Sequence, residues 1–238
     1  MNRSAADDSV RELARRVWLY RLGSELEAAQ RFEALAPMLR ELGVSDVIVA
    51  MAAKAASDEL RHASLCRELI QHFGGVAPPE QQVSVRAIAP AGLHGRERVL
   101  YEVVALSCVT ETLSTALLGA LVARARDSVC KQAMHSILRD EVNHSRLGWA
   151  LLAEEHARGA RDCVGEYLPR MFAATLGDEF FSLATAPDPR LAELAGLGSL
   201  ERAERQQIVQ ETLVHVIFPG LERFGIETGA GRRWLRTI

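Results

Sequence analysis

The phrase Asp-Glu-x-x-His occurs twice in this chain, 82 residues apart, as Asp58-Glu59-Leu60-Arg61-His62 and as Asp140-Glu141-Val142-Asn143-His144. Residues three apart share one face of a helix, so each Glu and His can reach a single metal ion together. A lone Glu-x-x-His is uninformative, because both residues are common on helix surfaces. Here each copy follows, about one antiparallel helix later, a single glutamate on an apolar face. Glu25 lies 34 residues before Glu59, and Glu111 lies 30 residues before Glu141. Four carboxylates and two imidazoles in a near-twofold repeat fit two helical hairpins closing on a pair of ions. Carboxylates can bridge two cations and offset their charge, while each imidazole gives one ion a neutral donor. Two iron ions are the expected occupants, with manganese as the alternative.

Neighbouring residues support burial of these groups. Three and four positions from Glu59 stand Ala55, Ala56, His62 and Ala63, and around Glu141 stand Ile137, Leu138, His144 and Ser145. Glutamate is rarely buried unless paired or ligating. Glu27 sits about 200° round the helix from Glu25 on a polar side, whereas Glu33, two turns on, is the reserve ligand. Asp58 and Asp140 each precede a histidine by four residues. Metal-bound imidazole usually donates its second nitrogen to a carboxylate or carbonyl, so these aspartates are the expected partners, within or across helices. Arg61 is expected to hold such an aspartate ionised.

Punctuation along the chain predicts an all-α fold. Helix one opens near Asp7-Asp8-Ser9 and reaches Pro37, which kinks it or starts a separate turn. Gly43 and Ser45-Asp46 mark a stop and a new N-cap. Helix two runs from about Asp46 to Phe73 and ends at Gly74-Gly75. Residues 76–92, with Pro78, Pro79, Pro90 and Gly92, form an irregular connection. Helix three covers 94–125 and helix four 128–157. Short links make two antiparallel hairpins. The middle link of some twenty residues reaches about 66 Å when extended, enough for a crossover that lets helices two and three run parallel. Residues 8–158 then form the bundle. Residues 159–238 form a helical extension packed on it, within one domain, 1–238. In that extension Arg161–Leu176 reads as a helix broken by Pro169, Ala186-Pro187-Asp188-Pro189 as a loop, and Leu200–Phe224 as a helix interrupted near Pro219-Gly220.

Charge and cysteine content narrow the functional classes. Net charge is −3, which offers no broad basic footprint for nucleic acid. Cys66, Cys108, Cys130 and Cys163 lack Cys-x-x-Cys spacing, removing an obvious rubredoxin or zinc-ribbon site. The polar, acidic start is unlike a signal peptide, and no run of about 18 uncharged apolar residues predicts a membrane span. A soluble, cytoplasmic protein is expected, as a monomer or small homo-oligomer.

The stretches Ser24-Glu25-Leu26-Glu27-Ala28-Ala29, Asp58-Glu59-Leu60-Arg61-His62-Ala63 and Cys108-Val109-Thr110-Glu111-Thr112 resemble bacterial ferritin-like domain proteins of the ferritin-like diiron carboxylate superfamily, over about residues 15–155. The first motif also resembles that of bacterial multicomponent monooxygenases, and the second departs from it, with Asn143 in place of Arg. Those oxygenases carry a threonine one turn after the third-helix glutamate, where Thr115 stands here. Its alternative role is a bond to its own helix backbone. The resemblance implies a reduced diiron pair that uses O₂, an external electron donor and an organic substrate. Small residues Thr115, Cys108, Ala29 and Ala63 would line the pocket. His135 falls about half a turn off the metal face, and His215 is a weak candidate for a seventh ligand. The expected activity is that of a non-haem diiron oxidase or oxygenase, with an iron-oxidising or peroxide-scavenging protein as the second reading.

Overall fold

The computed structural model describes residues 3–79, 85, 87–160, 162–182, 194 and 196–237. Four long helices dominate: α1 (Arg3–Glu41), α2 (Asp46–His72), α3 (Gly95–Arg124) and α4 (Ser128–Ala157). No strand occurs among the described residues. The punctuation residues act as their chemistry requires. Gly43 (φ 67°) and Gly74 (φ 79°) take the left-handed conformation that ends α1 and α2. Asp127 caps α4 by accepting the Cys130 amide at 2.8 Å. Helix α1 differs from expectation at both ends. It begins at Arg3, before the Asp7-Asp8-Ser9 signal, and continues through Pro37 to Glu41.

Cross-helix contacts establish direction. From one end of α2 to the other, Ser45 meets Glu154, Asp58 meets His144, His62 meets Asp140 and His72 meets Asp127. Numbers rise on one helix as they fall on the other, so α2 and α4 are antiparallel. Arg96 bonds Glu155 and Ser114 bonds Glu141, so α3 and α4 are antiparallel as well. Helices α2 and α3 therefore run the same way, and residues 73–94 make the crossover. This is the ferritin-like arrangement.

Helix α3 is the one described helix long and apolar enough to cross a membrane by length and composition, and it lies mostly buried in the bundle. Its centre departs from ideal winding. Val104–Glu111 forms a π-helical segment between α-helical Gly95–Val103 and Thr112–Arg124. The wide turn needs room, and α4 provides it with a glycine. A Cβ on Gly148 would stand 2.6 Å from Cys108 Sγ and 3.0 Å from the Cys108 amide nitrogen. Segments of this kind are frequent at functional sites, and this one ends on Glu111.

The apolar core lies in two bodies. One contains Trp18, Leu22, Leu69, Leu118 and Met134, and the other Phe32, Leu39, Ile48, Leu113 and Leu151. Each fully buried Leu or Phe stabilises the fold by about 1.5–3 kcal/mol relative to exposure. Between the two bodies sits a polar layer of Glu25, Glu59, Glu111 and Glu141, with Glu59, for example, between Ala55 of one cluster and Ala63 of the other. That layer is buried at a cost which the apolar bodies above and below offset.

The C-terminal helices feed the second body. A 3₁₀ turn, Gly165–Tyr167, leads into α5 (Leu168–Ser182), so Pro169 sits in the first turn of a helix and does not break one. Helix α6 comprises Arg202–Thr212, a π turn Leu213–Ile217, and Phe218–Arg223. The expected interruption near Pro219 is this widened turn, since proline clashes with the carbonyl four residues earlier. Helix α7 (Gly229–Leu235) closes the chain, and Phe172, Val209, Leu213 and Phe218 pack into the bundle core. The expected loop at Ala186-Pro187-Asp188-Pro189 lies outside the described residues.

Candidate metal centre

Glu25 from α1, Glu59 and His62 from α2, Glu111 from the end of the π segment, and Glu141 and His144 from α4 are all buried. They form two interlocking quartets. Donor atoms of Glu25, Glu59, His62 and Glu141 lie within 4.8 Å of one another, and so do those of Glu59, Glu111, Glu141 and His144. Glu59 and Glu141 belong to both. Glu59 turns Oε2 to His62 Nδ1 at 3.2 Å and Oε1 to His144 Nδ1 at 2.9 Å. Glu141 does the reverse, with Oε1 at 4.0 Å from His62 Nδ1 and Oε2 at 3.2 Å from His144 Nδ1. Glu25 Oε2 is 3.5 Å from His62 Nδ1. The histidine rings are 5.7 Å apart, with Phe32 walling His144 at 5.4 Å.

The outer nitrogens cross between the helices. His62 Nε2 is 3.3 Å from Asp140 on α4, and His144 Nε2 is 3.5 Å from Asp58 on α2. His62 is thus oriented by a hydrogen bond to the aspartate of the other motif, whereas His144 Nε2 faces Asp58 without a hydrogen-bond partner, and both Nδ1 atoms are left facing inward. Arg61 donates to Asp140 and to Ser136, and Lys54 donates to Asp58. Burial works to raise the Asp58 carboxyl, but Lys54 and His144 outweigh it and hold the group below its usual range.

Electrostatics describe a site short of positive charge. Burial, with Glu141 nearby, pushes Glu59 and Glu111 well above the ordinary carboxylate range. Glu141 is itself desolvated, yet bonds from Glu111 and His144 bring it down to about 2. Burial would lower His144, but Glu141 and Glu59 raise it to about 9. Without metal, protons therefore stand in for cations. Glu59 Oε1 is buried without a hydrogen-bond partner, although His144 Nδ1 stands 2.9 Å away. An orphaned carboxylate oxygen among inward-facing imidazole nitrogens fits a pair of divalent ions, and the all-Glu/His donor set suits iron or manganese.

The remaining site expectations divide. Ala29, Ala63 and Cys108 are buried, and burial keeps the thiols of Cys108 and Cys66 well above their usual range. The Thr115 hydroxyl donates to the Glu111 carbonyl at 2.8 Å, the bond within its own helix. Glu33, His135 and His215 are exposed. A surface recess in the structure lies elsewhere, lined by Leu100, Leu152, His156, Cys163 and Phe224. Ser114 was not singled out from the sequence, yet its hydroxyl donates to Glu141 Oε1 at 3.3 Å. Its position three residues after Glu111, on the same face, was the available signal.

Loading such a site displaces protons, so affinity should rise with pH. With Glu59, Glu111 and His144 all raised, competition of Mn²⁺ against a chelator between pH 6 and pH 8.5 should show a gain of about tenfold or more per pH unit. A flat profile would mean that these groups hold no proton that the metal must displace.

One solved structure, "Protein 19 with aldehyde deformylating oxidase activity" from Synechococcus, superposes with a TM-score of 0.65 at 17% sequence identity, covering 98% of each chain. At that identity the likeness is one of fold. No family model matches the chain. No curated protein matches it in sequence.

Proposed function

We propose that this protein is a non-haem diiron oxidase or oxygenase that uses O₂ to oxidise a small organic molecule. The observation that carries the reading is the pair of interlocking, buried quartets sharing Glu59 and Glu141. Glu25 and His62 would hold one ion, Glu111 and His144 the other, and the shared glutamates would bridge them. Bound as a reduced pair, the irons would supply electrons to O₂ and so generate the oxidant. The chain's own residues do the rest. Asp140 and Asp58 face the outer nitrogens of the histidines, so both Nδ1 atoms point inward to where the ions would sit. Ser114 restrains Glu141, while burial of the four glutamates and two histidines keeps bulk water from the donor atoms. Cys108 stays a thiol and ligates nothing.

An aldehyde is a reasonable first substrate class, given the activity named for the fold neighbour. The test is to load the protein anaerobically with Fe²⁺, add O₂ and a reductant, and follow O₂ uptake with panels of aldehydes and hydrocarbons. Substrate-dependent uptake with at most two irons per chain is expected. Accumulation of many irons per chain in a hollow assembly would instead establish iron storage, with all six ligands still correct.

A further inference from the structure

Among the described residues, most half-buried arginines have an oxygen partner. Arg15 bonds Glu12, Arg31 bonds Glu27, Arg61 bonds Asp140, Arg67 the Pro78 carbonyl, Arg96 Glu155 and Arg232 Glu222. Three half-buried arginines bond to no described residue: Arg21 on α1, and Arg202 and Arg205 on α6. Arg205 Nε is itself buried with no hydrogen-bond partner. The three stand together. Arg202 and Arg205 are three residues apart and share a face of α6. The Arg21 guanidinium lies 5.5 Å from the centre of the Trp18 ring. The same indole donates to the Leu197 carbonyl at 2.9 Å and packs on Gly198, just ahead of α6. Burial, with Arg202 and Arg21 nearby, lowers the Arg205 guanidinium from its usual range, and Tyr20 opposes this. No acid of α6 answers them, because Glu204 is turned to Arg124 and Glu201 is exposed.

A guanidinium withdrawn from water is normally paired, and like charges gathered without a counter-charge repel one another. Such an arrangement calls for an anion supplied from outside the chain. We propose that Arg21, Arg202 and Arg205 form the seat of a small organic phosphate, a phosphate monoester. A carboxylate offers two oxygens and a single charge, enough for one guanidinium fork. A phosphate monoester brings three terminal oxygens and a charge of about −1.5 to −2, one oxygen for each arginine. Tyr20, 53% exposed and close enough to act on Arg205, gives the organic part a ring face to lie on. The seat borders the metal layer. Arg21 stands one turn before Glu25 on the same face of α1, and both act on the buried Cys66 thiol. It does not depend on the two-metal reading, since none of its arginines is a proposed ligand.

Calorimetry on the full chain, in chelator-treated buffer so that no metal ion captures the probe, compares n-butyl phosphate, inorganic phosphate and butyrate. Butyl phosphate should bind with an affinity that falls as salt rises. Arg205→Gln should weaken it by about tenfold or more, as expected for the loss of one charge-assisted bond. Arg21→Gln and Arg202→Gln should each weaken it as well, while Arg170→Gln, at an exposed position of α5, leaves it unchanged. Circular dichroism checks the fold of each variant, and if one misfolds the other two decide. Butyl phosphate that does not bind, or that binds the parent and the three variants equally, overturns the proposal. Tighter binding of butyrate would make this a carboxylate seat and overturn the phosphate assignment. Binding of inorganic phosphate without the ester would overturn the organic ligand. Failure of the protein to bind iron leaves each of these outcomes unchanged, so the two readings fail separately.

Discussion

Glu59→Gln is expected to lose both ions and yet gain stability as the metal-free protein. Glu59 is shared by the two quartets, and an amide cannot bridge two cations as a carboxylate does. In the parent protein, free metal at a hundred times the dissociation constant adds about 2.7 kcal/mol per site, equivalent to a rise in Tm of roughly 5–10 °C for a chain of this size. The variant should show no such rise, and its metal content should fall to background. The metal-free comparison has the opposite sign. Glu59 has its folded pKa raised, so its favourable contribution is complete below the unfolded value and is lost as pH rises through the folded one. Near pH 8 the neutral amide avoids that loss, and a gain on the order of 1 kcal/mol is expected. A variant that kept two ions would show that neither ion needs Glu59.

Gly148→Ala should lower Tm by about 2–12 °C, from a packing cost of roughly 1–3 kcal/mol. Alanine favours a helix over glycine by about 1 kcal/mol, but the new methyl would meet Cys108 Sγ at 2.6 Å, Ser107 Cβ at 2.8 Å and the Cys108 nitrogen at 3.0 Å. A backbone atom cannot swing aside as a flexible side-chain end can. Relief requires α3 and α4 to part at the π segment, which moves Glu111 away from His144 and Glu141. Metal titration should then show the Glu111–His144 ion weakened by about tenfold or more, with the Glu25–His62 ion retained. Gly119→Ala is the matched control. Nothing lies within 4 Å of its Cβ position, so only the helix-propensity gain remains and Tm should rise. Equal behaviour of the two variants would remove the steric account of Gly148.

Repetition made the hairpins, the crossover and the six converging groups legible in the sequence. A three-residue spacing has one meaning on a helix, and it occurred twice at matching distances. What escaped the sequence was set by neighbours distant along the chain. The π segment is allowed by Gly148, some forty residues on, and no local signal in Val104–Glu111 announces it. Sequence left open whether Asp58 and Asp140 serve their own or the opposite histidine; the antiparallel register of α2 and α4 resolves this in favour of the crossed pairs. Helix ends followed the signals at Gly43, Gly74 and Asp127, whereas α1 begins at Arg3, ahead of the Asp7-Asp8-Ser9 signal.

The crossed aspartate–histidine pairs also bear on the order of events as the chain folds. Neither hairpin contains a complete metal site: α1–α2 supplies Glu25, Glu59 and His62, while the aspartate for His62 and the second shared glutamate arrive from α4. A ribosome-bound chain that has released only the first hairpin holds no finished ligand set and gains little from free iron. On the proposed two-metal reading, metal binding energy would become available only after the long connection has been closed and the distant halves have met, the slow step for non-local contacts. The ions would then act late, as a lock on a finished assembly, and would not template it.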